Sequence, residues 1–464
     1  MADRLSSLDV SFLYLEEPTT AMHVGGVSML RRPADGSFDY DRLVELISER
    51  IGLVPRYRQK VKRVPGHLGN PIWVDDQDFD VTYHVRRSAL PKPGTPDQLR
   101  ELVGRLMSRQ LDRNRPLWEI YLVEGLAHGE AALVTKTHHA MVDGRSAMDI
   151  GALILDVTPE PRQTDPDDWS PDREPGRIEL VAGAVIDLVR RPVAAADTVR
   201  SGVMDAKVNA GKVLRGVGGL LSAARVTIRA APSSPLNVTI GEQRRFGMAA
   251  TELDEYKRVR KSHGGTVNDV VLATVAGAIR AWLLTRGEPV TPATTVRAMV
   301  PVSVRPAGTD GDGGNKVSSY FVDLPIGEPN PVVRLHQVSY AMKAHKESNQ
   351  SMGAEAIVAM AGFAPPTLHQ LGARLGSSMT RRLFNVVVTN VPGPQYPLYA
   401  AGAQMLSVYP VVPLAKGQAV CVGLTSYNGG VFYGLNADRD AMPDIDVLAQ
   451  CIEESLAELV STVA

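Results

Sequence analysis

A stretch rich in proline and aspartate divides the chain and limits what it can fold into. Residues 158–177 (TPEPRQTDPDDWSPDREPGR) carry few apolar side chains. Such a segment cannot contribute to a hydrophobic core, so it is predicted to form a surface linker. The chain has 464 residues, and at about 100–200 residues per domain it has room for a large domain on each side of the linker.

The region before the linker, residues 1–157, alternates between strand and helix patterns. Short apolar runs predict strands, and apolar residues spaced three and four apart predict helices. The predicted strands are Val24–Leu30, Trp118–Leu122 and Ala131–His138, and the predicted helices are Tyr40–Ile51, Asp97–Leu111 and Gly144–Val157.

A second region of mixed patterns follows at residues 236–464. Its predicted helices are Asn268–Leu284 and Ile445–Val463. Its predicted strands are Thr295–Val304, Val317–Leu324, Asn385–Val391, Ala419–Thr425 and Val431–Asn436. Because both regions combine strands with helices, we expect an α/β protein of two units, each a mixed β-sheet flanked by helices.

Residues 158–235 are predicted to connect these units, and their second part is helical and basic. The basic residues between positions 178 and 229 are Arg190, Arg191, Arg200, Lys207, Lys212, Arg215, Arg225 and Arg229. The acidic ones are Glu179, Asp187, Asp197 and Asp205. A basic amphipathic helix can bind an anionic membrane surface. A solvated helical crossover between the two units is the alternative interpretation.

Charge and cysteine content exclude several classes of protein. Lys and Arg number 50 against 51 Asp and Glu, which gives a net charge of −1, whereas a general nucleic-acid binder is clearly basic. Two cysteines are too few for a disulfide scaffold or a cysteine-based zinc ribbon. The N-terminus lacks the pattern of a secretory signal, and no apolar run reaches the roughly 18 residues of a membrane span. We therefore expect a cytosolic protein.

The candidate for chemistry is the segment Thr137–Gly144 (THHAMVDG), where an apolar strand ends and a helix begins. Because side chains alternate along a strand, His139 is predicted to share a face with Thr137, and His138 to point the other way with Lys136. Adjacent strand histidines do not readily chelate one metal ion, so no metal site is predicted. A neutral imidazole is well suited to act as a general base. A pair of hydrogen-bonded core histidines is the alternative.

The sequence offers no protein nucleophile to accompany this base. No Gly-x-Ser-x-Gly motif occurs in the chain, so a hydrolase serine is not indicated. Cys421 and Cys451 lie in apolar patterns and are predicted to be core residues. A base without a nucleophile favours direct attack by a substrate hydroxyl or amine.

Several blocks of the sequence resemble a known family. The pattern His138-His139-x-x-x-Asp143-Gly144 resembles the signature of the CoA-dependent acyltransferase superfamily, which includes chloramphenicol acetyltransferase and condensation domains. Further blocks narrow the resemblance to bacterial wax ester synthases/acyl-CoA:diacylglycerol acyltransferases. They are Leu5-Ser6-Ser7-Leu8-Asp9 with Phe12, Met22-His23-Val24-Gly25, Pro116-Leu117-Trp118-Glu119, Asn268-Asp269-Val270-Val271-Leu272-Ala273, Pro301-Val302-Ser303-Val304-Arg305 and Thr389-Asn390-Val391-Pro392-Gly393-Pro394.

The resemblance implies a fold and a division of roles. It implies two chloramphenicol acetyltransferase-like subdomains with an active-site tunnel at their interface. His139 would be the general base and His138 an orienting neighbour. Asp143 would hold the turn through an arginine, with Arg56, Arg58 and Arg305 left open as its partner, and Gly144 would supply freedom at the corner.

The resemblance also implies where the remaining site residues lie. The candidates for oxyanion or substrate contacts are Asn268, Asp269, Thr389 and Asn390, and a helix N-cap is the alternative role for Asn268. The block Pro116-Leu117-Trp118 would line the tunnel, with plain packing as its alternative.

The implied function is acyl transfer to a lipid alcohol. Long-chain acyl-CoA would be a co-substrate, with no bound cofactor, and diacylglycerol or a long-chain fatty alcohol would be the acceptor. Because these substrates are insoluble, we expect a cytoplasmic protein attached peripherally to the inner membrane or to lipid droplets, with no nucleic acid as partner. A carrier-dependent condensation-type enzyme and a non-catalytic lipid-binding protein of the same fold are the alternatives.

Overall fold

The computed structural model describes residues 3–67, 69–142, 150–165, 167–190, 230–304, 316–347, 352–353 and 383–463. The helices, in chain order, are α1 Ser7–Leu15, α2 Tyr40–Arg50, α3 Val81–His84, α4 Pro96–Ser108, α5 Ile150–Ile154, α6 Arg177–Arg190, α7 Leu253–His263, α8 Val267–Thr285, α9 Pro331–Glu347 and α10 Ile445–Ser461.

The strands of the first half are β1 His23–Arg31, β2 Gln59–Lys62, β3 Ile72–Asp75, β4 Val85–Ala89, β5 Trp118–Glu124, β6 Ala131–His138 and β7 Leu155–Asp156. Those of the second half are β8 Arg244–Glu252, β9 Val296–Val304, β10 Lys316–Leu324, β11 Met352–Gly353, β12 Val386–Pro392, β13 Tyr399–Ala400, β14 Ala403–Val411, β15 Val420–Tyr427 and β16 Gly430–Asp438.

Two seven-stranded mixed sheets organise these elements. The first has the order β4-β5-β6-β1-β14-β13-β7 and the second β11-β10-β9-β12-β15-β16-β8. Each contains parallel pairs, β4 with β5 in the first and β12 with both β9 and β15 in the second, among antiparallel ones. The predicted α/β class with two mixed sheets is thereby confirmed.

Strands β13 and β14 lie far along the chain but belong to the first sheet. Strand β1 pairs with β6 on one side and with β14 on the other, so Gly25 lies opposite both Lys136 and Val411. Residues 236–464, predicted to form the second unit, therefore also supply two strands to the sheet formed by residues 1–157. The sequence analysis did not identify β14 as a strand.

Each sheet carries its own hydrophobic core. In the first, the apolar face of α2, with Leu43, Leu46 and Ile47 fully buried, packs near β5 and β6. In the second, α8 packs against α10 and the sheet. Among the described residues α8 is also the one helix long and apolar enough to cross a membrane, but 72% of its most apolar stretch is buried inside the protein, as in a core helix.

The linker predicted at residues 158–177 is attached to the first unit by charged contacts. Arg58 forms an ion pair with Asp167 and lies 4.1 Å above the Trp169 ring. Lys62 lies 2.7 Å from a carboxylate oxygen of Glu174. The linker is thus an extended surface strap. Helix α6 follows it as predicted, and residues 191–229 lie outside the described part.

One predicted helix, Gly144–Val157, needs correction. The described part of this range is the short helix α5 followed by strand β7. The helix ends at Ile154 because Leu155 and Asp156 pair with Ala400 and Tyr399 at the edge of the first sheet. The Asp156 carboxylate also binds the buried guanidinium of Arg50 at 2.7 Å.

Two adjacent glycines in β1 provide a test of this sheet. A Cβ on Gly25 would lie 1.9 Å from the Thr135 carbonyl oxygen, whereas on Gly26 the nearest atom would be 3.5 Å away. Since the first contact involves backbone, Gly25→Ala should lower the free energy of unfolding by about 2 kcal/mol or more, and Gly26→Ala should be nearly neutral. Thermal melts followed by circular dichroism measure both. Equal melting temperatures for the two variants would contradict the register of β1.

Candidate active site

His138 is the last residue of β6 and its side chain is enclosed. Its imidazole is 1% exposed. The Nδ1 atom accepts a hydrogen bond from the Ala140 N–H at 3.1 Å, and the backbone N–H donates to the Leu117 carbonyl at 2.9 Å. Strand alternation thus applies up to this residue, and the chain then turns.

His139 begins the 3-10 turn His139–Met141 rather than continuing the strand. Its backbone N–H donates to the Met22 carbonyl at 2.8 Å. Its ring stacks on Phe12 with 4.0 Å between centroids and 24° between planes. The two rings thus have different neighbours, Phe12 for His139 and Glu16 for His138. Because His139 lies in a turn, strand alternation does not describe it, and the opposite facing of the two rings stays a prediction.

The environment of His139 favours a neutral imidazole. Burial lowers its pKa from 6.5 to about 4, because a charged ring would lose its hydration. Nδ1 is buried without a hydrogen-bond partner among the described residues. A neutral imidazole at pH 7 retains a lone pair that can accept a proton, which general base catalysis requires.

Glu16 and Arg113 complete the surroundings of His138, and the sequence analysis missed both. The Glu16 Oε2 atom lies 3.7 Å from His138 Nε2 and accepts from Arg113 Nε at 3.1 Å and Nη2 at 2.6 Å. Burial alone would raise the pKa of Glu16, but contacts with His138 and Arg113 outweigh it and lower the pKa to about 2. The one feature of the sequence that could have indicated Glu16 is its position between two blocks that resemble the family, Leu5–Phe12 and Met22–Gly25.

Two candidate residues from distant blocks lie side by side. The Asn268 Oδ1 atom, at the start of α8, accepts from the Asn390 Nδ2 of β12 at 3.3 Å. Thr389 precedes Asn390 on β12 and lies opposite Gly423 of β15. No hydrogen bond between described residues joins His139 to Asn268 or Asn390.

The N-cap role considered for Asn268 is wrong. The cap of α8 is Thr266, whose hydroxyl accepts from the Asp269 N–H at 3.2 Å while the Asp269 carboxylate accepts from the Thr266 N–H at 2.8 Å. The Ser339 hydroxyl donates to the same carboxylate at 3.1 Å. Asp269 is therefore occupied in a capping box, and an ionised carboxylate cannot donate to an oxyanion.

The Pro116-Leu117-Trp118 block is packed inside the first unit. Trp118 is 0% exposed, donates its indole N–H to the Tyr57 carbonyl at 2.7 Å and stacks on His84 at 4.5 Å. Leu117 is equally enclosed. A side chain without accessible surface does not line an open tunnel, so the packing interpretation is favoured over the predicted lining role. The tunnel itself stays a prediction.

Asp143 and Gly144 lie outside the described residues, as does Arg305, so the arginine partner of Asp143 stays open. The other two candidates have partners of their own, since Arg56 forms an ion pair with Asp3, and Arg58 one with Asp167. Within the described ranges, no group of three or more His, Cys, Asp or Glu side chains could hold a metal ion.

Cys421 and Cys451 are both free and buried, as predicted for core residues. Burial raises the pKa of both thiols, so neither environment favours a reactive thiolate.

Comparison with known proteins places these features in context. Residues 5–271 match the family described as the wax ester synthase/diacylglycerol acyltransferase catalytic domain, and residues 313–460 match the C-terminal domain of that family. A probable diacylglycerol O-acyltransferase of Mycobacterium tuberculosis is 47% identical over 261 residues, which cover 56% of this chain and 96% of the relative. A second one from that organism is 34% identical over 98% of both chains.

Solved structures give the same grouping. A wax ester synthase/diacylglycerol acyltransferase from Marinobacter aquaeolei VT8 aligns with a TM-score of 0.69 and 29% identity over 98% of both chains. The starter condensation domain of rhizomide synthetase aligns with a TM-score of 0.55 over 100% of this chain and 95% of the domain. At 13% identity, this second likeness concerns the fold alone.

Proposed function

Because the chain belongs to the wax ester synthase/diacylglycerol acyltransferase family, and is thereby an acyltransferase as the resemblance implied, we propose that it transfers a long-chain acyl group from acyl-CoA to the hydroxyl of diacylglycerol. In this proposal His139 is the general base. The observation that carries the assignment is the His139 ring, which is stacked on Phe12, has its Nδ1 enclosed, and stays partly exposed and neutral.

The reaction is a direct transfer in one active site. His139 takes the proton of the acceptor hydroxyl while that oxygen attacks the thioester carbonyl carbon of acyl-CoA. The tetrahedral intermediate then expels the CoA sulfur, which receives the proton from His139 and leaves as a thiol. The products are an ester and free CoA, and the base returns to its neutral form. A positioned base contributes about 10²–10⁴ in rate.

Asn268 is the favoured donor to the oxyanion of the intermediate. Its Oδ1 atom is held by the Asn390 amide, which directs the Asn268 Nδ2 group away from Asn390, and no described residue accepts from that nitrogen. Its position in the first turn of α8 adds the positive end of the helix dipole. Removal of one such donor costs about 10²–10³ in rate in a well-studied protease.

The same chemistry can act on two kinds of acceptor. Diacylglycerol and a long-chain alcohol both present a hydroxyl on an apolar body, and the family name covers both products. Purified protein with palmitoyl-CoA and diacylglycerol, hexadecanol or no acceptor, analysed by thin-layer chromatography, separates the two activities. Diacylglycerol is the proposed acceptor because the matched mycobacterial relatives are named for it.

Peripheral attachment to the inner membrane or to lipid droplets, on the cytoplasmic side, is part of the proposal. Helix α6 supports it with two opposite faces. Leu180 packs on Ile72 and Val74 of the first unit, whereas Ile178 and Ile186 are 85% and 49% exposed. Their spacing places them on one side of the helix, where they form an apolar stripe.

The roles of the two histidines differ in a measurable way. His139→Ala should reduce transfer from palmitoyl-CoA by about 10²–10⁴, because the base is lost, whereas His138→Ala should retain a measurable fraction. The assay is initial-rate product formation, with melting temperatures recorded for both variants. Loss of activity in a folded His138→Ala, combined with an active His139→Ala, would reverse the assignment. An inactive wild type would favour the non-catalytic lipid-binding alternative.

The pH profile tests the neutral state of His139. Since its folded pKa is lowered from 6.5 to about 4, the base is neutral above this value, and kcat/KM should stay flat from about pH 7 to 5 and fall below that. His23 and His84, with pKa values lowered to about 3 and 4, make the fold less stable as pH falls below 6.5. Circular dichroism at each pH is therefore the control. A midpoint near 6.5 in folded protein would argue against a base with a lowered pKa.

Flotation with anionic liposomes tests the membrane contact. The double variant Ile178→Glu, Ile186→Glu should float less than the wild type, because two charges replace the exposed apolar stripe. The double variant Leu284→Glu, Val333→Glu is the matched control, since these residues are 50% and 41% exposed on α8 and α9 of the other unit. Undiminished flotation of the double variant would assign the contact to another surface.

A further inference from the structure

Helix α1 contacts both histidines through two residues one turn apart. Phe12 stacks on the His139 ring, and Glu16, four residues later, faces His138. The two lie on the same side of the helix end, since the Glu16 N–H donates to the Phe12 carbonyl at 3.2 Å. Glu16 thus belongs to the element that holds the histidine turn.

The hydrogen bonds of His138 determine where its proton lies. Nδ1 accepts from the Ala140 N–H, so it carries no proton, and in the neutral ring the proton must sit on Nε2. That N–H lies 3.7 Å from a carboxylate oxygen of Glu16. This distance is longer than a hydrogen bond. The negative charge of the carboxylate still favours the Nε2–H form, because both side chains are 1% exposed and little water screens the interaction.

The same carboxylate reaches the backbone of His139 through one residue. Glu16 Oε1 accepts from the Met22 N–H at 3.2 Å, and the Met22 carbonyl accepts from the His139 N–H at 2.8 Å. Arg113 fixes the carboxylate from the other side and also donates to the Leu13 carbonyl at 2.8 Å. Glu16 therefore connects the end of α1, the residue that precedes β1 and the histidine turn.

We propose that Glu16 is a positioning residue for acyl transfer, which holds the Nε2–H form of His138 and, through the Met22 peptide, the turn that presents His139. The inference rests on the proposed function of His139 as the base. It assigns to a residue outside the histidine motif the task of keeping both rings in place.

A glutamine cannot replace Glu16 without a conflict between donors. Oε1 accepts from Met22 and Oε2 accepts from Arg113, so an amide nitrogen at either position would face an N–H group. Glu16→Gln removes the charge at nearly constant volume. Glu17→Gln is the matched control, since Glu17 is the next residue, 41% exposed, and pairs with Lys416 at 2.7 Å on the surface.

The first experiment compares these two variants by steady-state kinetics and by NMR of the histidine ring nitrogens. Glu16→Gln should lower kcat by about 10- to 100-fold, as expected for a displaced base, with KM for palmitoyl-CoA within about twofold. The ¹⁵N resonances of His138 should shift. Glu17→Gln should leave kcat and the resonances unchanged. Wild-type kcat in folded Glu16→Gln, or unchanged His138 resonances, would overturn the proposal.

The second experiment asks whether Glu16 acts through His138. In a His138→Ala background, Glu16→Gln should lower kcat much less than it does in the wild type. The reason is that either change already removes the contact between Glu16 and His138. Equal losses in both backgrounds would indicate a general structural role. If Glu16→Gln does not fold, Arg113→Lys offers the same comparison, since it weakens the hold on the carboxylate and keeps its charge. The NMR readout does not depend on turnover, so an inactive wild type would count against the proposed function alone.

Discussion

Strand β14 is hydrogen-bonded along most of its length to β1 of the first sheet and lies against β15 and β16 of the second. The approach is close, since a Cβ on Gly434 would lie 1.9 Å from the Pro410 carbonyl oxygen. The Asn436 amide also donates to the Val412 carbonyl at 2.8 Å. Because β1 pairs in turn with β6, this contact fixes the second unit relative to the strand that carries the histidines.

Burial of ionisable groups is the second constraint on the site. His23, His138, Glu16 and Lys136 all lie inside the first unit, and each charged form must be balanced there. Lys136 donates to the carbonyl of Leu106 in the last turn of α4 and to that of Arg109 just after the helix, and burial lowers its pKa to about 8. Arg113 balances Glu16. These groups lie next to the turn that carries His139, whose enclosed Nδ1 and neutral ring border a low-dielectric region where electrostatic effects are larger than in water.

The two units contribute different parts of the proposed chemistry. The first supplies the base through β6 and α1, and the second supplies the Asn268–Asn390 pair through α8 and β12. Along the chain, the surface strap and residues 191–229 connect the two units. In space, β14 joins them, because it pairs with β1 and contacts β15 and β16. The proposed direct attack needs a base and an oxyanion donor in one place, and the proposal takes one of them from each unit.

The sequence alone determined the α/β class, most strands and helices, and the family. It also predicted that His139 is a general base. Hydrophobic periodicity and short motifs carry that information because they are local in the chain. It did not predict β14 in the first sheet, the Thr266–Asp269 capping box in place of an Asn268 cap, or the contact of Glu16 with His138.

Sheet order depends on pairing between residues nearly 400 positions apart, such as Gly25 and Val411. The surroundings of Glu16 depend on Arg113, 97 residues away. Only the tertiary structure decides such contacts, because their energy comes from burial and hydrogen bonds between segments that the chain order does not bring together.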